Sequence, residues 1–89
     1  MLYPFMTMED ETEIVHSEMD ERGVVRVELE KPIDGGFCSA VCSLPSYEWR
    51  DIVGFSEAEI AGYQKLIEKG AHLIMRFAKN GGYEYASGF

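Results

Sequence analysis

The sequence predicts an α+β fold: an antiparallel three- to four-stranded β meander followed by one long C-terminal α-helix packed on one sheet face. Three observations predict it. Residues 24–31 alternate apolar and charged side chains at the period of two that sorts the faces of a strand. Turn signals recur at short intervals through the first half, and strands joined by short turns pair antiparallel because parallel pairing needs a crossover. From Ser56 onward the period becomes that of a helix, opened by a capping signature. The chain has 89 residues, below the roughly 100–150 of a typical domain, so it holds a single core. Residues 1–82 read as one domain and residues 83–89 as a C-terminal tail.

The opening Leu2-Tyr3-Pro4-Phe5-Met6-Thr7-Met8 is apolar and β-prone, and Pro4, with no N–H to donate, suits it to a sheet edge. Acidic Glu9-Asp10-Glu11 forms a solvated turn into a second strand over residues 12–19. Asp20-Glu21-Arg22-Gly23 then reverses the chain, with Gly23 able to take the positive φ such turns often require. In the third strand Val25, Val27 and Leu29 mark the buried face, and Arg26, Glu28 and Glu30 the wet one. Pro32-Ile33-Asp34-Gly35-Gly36 turns again. Residues 37–44 form the next strand, with Cys38, Ala40, Cys42 and Leu44 on its more apolar side. Residues 45–54 read as a linker whose Tyr47 and Trp49 pack over a core edge.

Ser56-Glu57-Ala58-Glu59 is a capping box, in which Ser56 and Glu59 satisfy backbone N–H groups reciprocally, and Phe55 and Ile60 stand where a hydrophobic staple would. The helix should begin within two residues of Glu57, run to about Lys79 and stop at Asn80-Gly81-Gly82, where a left-handed cap costs glycine nothing. Its apolar residues fall in one arc of about 160°, from Ile60 and Tyr63 through Ile67, Gly70 and Ile74 to Ala78. That arc is wider than a narrow sheet must cover, so its edge at Leu66, Leu73 and Phe77 is a candidate homodimer surface. Lys65, Lys69, His72, Arg76 and Lys79 make a basic stripe on the opposite arc.

Sixteen acids against eight bases give a net charge of −8, which argues against nucleic acid or anionic lipid as a direct ligand. The acidity is local: residues 1–55 carry twelve acids and four bases, whereas residues 56–80 carry three and four. Cys38 and Cys42 would lie about 13 Å apart along one strand, too far to bridge. Their number and spacing do not suit zinc, so reduced thiols in a cytoplasmic protein are expected. No export signal opens the chain and no apolar run approaches the 18 residues or so of a membrane span.

No residue set supports catalysis or a cofactor, and none is expected. His16-Ser17-Glu18 invites a catalytic reading, but in a strand Ser17 points away from His16 and Glu18, so the nucleophile and its base cannot meet. Cys38 and Cys42 fall on the core face, where a thiol is usually inert. Glu9-Asp10-Glu11 with Glu13 lacks the spaced oxygens and glycine of a calcium loop, and no Gly-rich phosphate loop is present. What remains is the acidic sheet half as a docking surface. Glu13, Glu18, Glu28 and Glu30 supply charge, Ile14, Phe37 and Val41 are placed by parity as apolar anchors on the face away from the helix, and His16 joins them. The reading is a non-catalytic, acidic protein-binding regulator or inhibitor that occupies a basic protein partner. The alternatives are a small enzyme or ligand-binding domain using the His16 face, and a structural homodimer built on the helix edge.

Tyr3-Pro4-Phe5-Met6-Thr7, with Thr12-Glu13-Ile14-Val15-His16-Ser17-Glu18, resembles the opening of small uncharacterised proteins from bacterial mobile elements. The resemblance spans about a fifth of the chain and carries no known activity or site residue. The layout of a β meander and one helix also resembles the small α+β folds of some antitoxins and phage-encoded anti-CRISPR proteins. That likeness implies a toxin, nuclease or effector complex as the kind of partner, by analogy of fold alone. The chain lacks the DNA-binding element many antitoxins append.

Overall fold

The computed structural model of the chain describes residues 1–80. Five strands precede the helix: β1 (Leu2–Thr7), β2 (Glu13–Ser17), β3 (Val25–Ile33), β4 (Gly36–Leu44), β5 (Glu48–Val53) and α1 (Glu57–Lys79). They form one antiparallel sheet in the order β1-β2-β3-β4-β5, a meander in which each strand pairs with its chain neighbour. The fold class is as the sequence predicts, with one strand more than the three to four expected. The extra strand is β5, read from sequence as part of a linker.

The alternation of β3 sets the faces of the sheet. Val25, Val27 and Leu29 are buried, and the register carries their face outward: Ile14 lies opposite Leu29, His16 opposite Val27, Cys42 opposite Val27, and Leu44 opposite Val25. The turn before β3 is held as expected. Gly23 has φ +81°, and Asp20 Oδ1 accepts the N–H groups of Arg22 at 2.8 Å and Val24 at 2.9 Å. Those hydrogen bonds, led by the one from Val24, hold the Asp20 carboxyl below its ordinary value.

Two edges depart from a plain period of two. β1 bulges between Pro4 and Met6, and β4–β5 pairing is irregular between Ser39 and Val41, beside Asp51 with φ +53°. Past this point Val53 pairs with Ser39 on the face away from the core, while Trp49 pairs with Cys42 on the core face. Trp49 Nε1 donates to Gln64 Oε1 at 2.9 Å and so ties β5 to the helix.

The helix begins as predicted. Ser56 is the N-cap: its Oγ accepts the Glu59 N–H at 3.1 Å, and Glu59 Oε1 accepts the Ser56 N–H at 2.8 Å. The core joins helix residues Tyr63, Ile67, Ile74 and Ala78 to the buried side chains of β2, β3 and β4. Contacts at two points fix how the helix lies. Tyr63 Oη and Thr12 Oγ1 share a hydrogen bond at 3.3 Å, and the Met19 N–H donates to the Ala78 carbonyl at 3.3 Å. The seven steps of extended chain from Thr12 to Met19 cover about 23 Å, and the fifteen helical steps from Tyr63 to Ala78 cover about the same. The helix therefore runs along β2.

This course accounts for the width of the apolar stripe. β1 flanks β2 and closes against the helix through Phe5, whose ring lies 6.3 Å from that of Phe77. A Cβ at Gly70 would stand 3.0 Å from Phe5 Cζ, so glycine there admits the ring. Leu66, Leu73 and Phe77, offered by the sequence as a dimer edge, are half-buried within the chain itself. The predicted glycine cap at Gly81-Gly82 and the tail 83–89 lie outside the described residues; the described helix ends at Lys79, with Asn80 as C-cap at φ −94°.

Candidate functional site: the open sheet face

The face of the sheet away from the helix is built from the residues that alternate with the core. Cross-strand pairing arranges them in rows. Thr7, Glu13, Glu30, Ser39 and Val53 form one row, and Pro4, Val15, Glu28, Val41 and Arg50 form the next. Glu13 and Glu30 are thus directly opposite each other on neighbouring strands. Among the described residues neither has an ion pair. Like charges in that position repel and cost stability. Glu28 in the second row is engaged by the Arg26 guanidinium.

These rows line a shallow hollow of about 360 Å³, whose walls include Glu13, Glu28, Glu30 and Asp51 around Leu2, Val15 and Val41. At the β3–β4 end of the same face Pro32 lies opposite Phe37, which is 57% exposed, as is Val53 opposite Ser39. The face joins apolar side chains to uncompensated carboxylates, the combination a desolvated contact with a cationic surface requires.

The residues singled out from sequence divide accordingly. Glu13, Glu28, Glu30, Phe37 and Val41 are together on the open face. Ile14 and His16 are not. Ile14 is 1% exposed and His16 0%, and both belong to the covered face of β2, so their placement as surface anchors is corrected. Glu18 follows β2 and borders a different hollow near the Asp20 turn. Sequence reasoning overlooked Leu2, Val15 and Asp51 as lining residues. Val15 is marked by its own alternation with Ile14 once the parity of β2 is known.

His16 also changes role. Its Nδ1 lies 2.9 Å from the Ser17 carbonyl, and a carbonyl only accepts, so Nδ1 carries the proton. Among the described residues the buried Nε2 has no hydrogen-bond partner, and the ring packs 5.9 Å from that of Tyr3. It is buried and borders neither hollow of the open face. Cys38 and Cys42 are free and buried, and burial pushes the Cys42 thiol up to about 11, which keeps it protonated at neutral pH. Among the described residues no group of three or more His, Cys, Asp or Glu is placed to hold a metal ion, and no helix is long and apolar enough to cross a membrane. No protein-family model matches the chain, nor does any curated protein or solved structure.

Proposed function

We propose that the chain is a non-catalytic regulator or inhibitor that binds a basic protein through its open sheet face. A partner of the kind a toxin, nuclease or effector complex presents, with a cationic surface for nucleic acid, fits this chemistry. The observation that carries the reading is the Glu13–Glu30 pair: two carboxylates held opposite each other with no cation paired to them among the described residues, on a hollow face beside exposed Phe37 and Val53. A repulsive pair costs folding free energy, and a cation brought by a partner turns that repulsion into attraction. The remaining acids of the N-terminal half add long-range attraction, which raises the rate of encounter more than the strength of the final contact.

The test is affinity capture from the native host followed by binding kinetics on the protein recovered. The wild-type chain should retain a basic protein that a Glu13→Gln/Glu30→Gln chain loses. Lys65→Gln/Lys69→Gln on the outer face of the helix should retain it. Loss with the helix changes and retention with the sheet changes would place binding on the other side of the molecule.

A further inference from the structure

We propose that the second hollow of the open face, at the end nearest the Asp20 turn, binds a phosphoryl group. This site goes beyond the basic-partner reading and does not depend on it. The hollow measures about 410 Å³, and Arg22, Arg26 and Arg50 line it. They are three of the four arginines in the chain and three of the four bases in its first 55 residues. The fourth of those bases, Lys31, lies elsewhere, 3.6 Å from Asp10. An acidic half-chain has thus placed nearly all its positive charge around one hollow, and has done so with guanidinium groups supplied by a turn, by β3 and by β5.

The donors are largely unspent. Arg26 commits Nε to Glu28, which leaves the four N–H groups of its two Nη atoms. Arg22 and Arg50 stand 3.7 Å from Asp20 and Asp51, ion pairs beyond hydrogen-bond length. Asp20 uses Oδ1 on the turn's own N–H groups. Three forks approaching from separate elements match a tetrahedral anion with several oxygens, whereas a planar carboxylate fills one fork or two. Lysine on the helix surface offers only point charges by comparison.

The overall charge of −8 does not forbid such a site. Glu30 is four strand residues from Arg26, about 13 Å, beyond the roughly 8 Å over which exposed charges act at physiological ionic strength. The carboxylates at the hollow are Glu18 and Asp20 on its wall, with Glu28 and Asp51 paired to Arg26 and Arg50 beside it, so the site offers an anion the unspent guanidinium N–H groups and not an excess of positive charge. Glu18 and Asp20 are both exposed; Asp20 Oδ1 accepts the N–H groups of its own turn, whereas Glu18 opposes an anion.

Titration of the full chain with inorganic phosphate, followed by amide and arginine Nε–H resonances at constant ionic strength, tests the site. Saturable shifts should centre on Arg26, Ser43 and Arg50, and acetate and chloride should not produce them. Arg26→Gln and Arg50→Gln should each weaken phosphate binding about tenfold, the size of one lost charge-assisted contact. Glu18→Gln should tighten it several-fold, and Lys65→Gln should leave it unchanged. Arg50 is exposed, so its variant keeps the test open should Arg26→Gln fail to fold. Shifts that do not saturate, that acetate reproduces, or that survive Arg50→Gln would overturn the proposal.

Discussion

Glu13 and Glu30 face each other across β2 and β3, and the cost of that arrangement is measurable. Cross-strand pairs contribute roughly 0.2–1 kcal/mol, with like charges unfavourable and opposite charges favourable. Glu30→Lys should therefore raise stability by about 0.5–1 kcal/mol, read as a higher urea midpoint at unchanged m-value, while it removes charge from the binding face. Stability and binding should move in opposite directions at this one position. Ile14 and His16 show why single residues on β2 were harder to read than those on β3. β2 has five residues with one aliphatic side chain on each face, Ile14 and Val15, so alternation alone does not say which face is covered. The decision comes from register, which sets Ile14 against Leu29 and His16 against Val27, and the turn between β2 and β3 is too long to fix register from sequence. A histidine in the core also runs against expectation until the Ser17 carbonyl is seen to take its Nδ1 proton.

At the scale of elements, local chemistry was legible and edge strands were not. The start of α1 at Glu57 follows the sequence reading because a capping box acts within a few residues, and its last described residue, Lys79, is where the sequence reading ends it. Ser56→Ala should cost about 1 kcal/mol in chemical denaturation, since it leaves the Glu59 N–H without its acceptor. β5 was missed because the irregularity beside Asp51 breaks its period, placing Trp49 toward the core and Val53 away from it. β1 carries a similar break between Pro4 and Met6, and without Phe5 on the helix the apolar stripe looked too wide. The turn before β3 adds a pH dependence of known sign. The carboxyl of Asp20 is lowered from 3.8 by the Val24 N–H and then that of Arg22, so its contribution is complete above 3.8 and is lost as pH falls through the lower folded value. Urea melts between pH 2 and pH 6 should show stability rising with pH, with a smaller rise in Asp20→Asn.

The whole molecule is two-sided: carboxylates and exposed apolar side chains on the open sheet face, and lysines on the outer side of the helix. That division was legible in the charge count, because the acidic half of the chain folds as the sheet and the nearly neutral half as the helix. The concave shape of the face and the gathering of three arginines at one end were not legible, since both depend on how five strands align. A chain of 89 residues buries only about 60–65% of its unfolded surface, so a repulsive face is a real burden unless it serves a contact. The most direct test is the association rate with the captured partner as a function of salt, for the wild type and for Glu13→Gln/Glu30→Gln. Binding through the acidic face predicts a wild-type rate that falls as salt rises and a variant that starts slower and responds less, because screening and neutralisation remove the same attraction. Equal rates and equal salt slopes in the two proteins would contradict it.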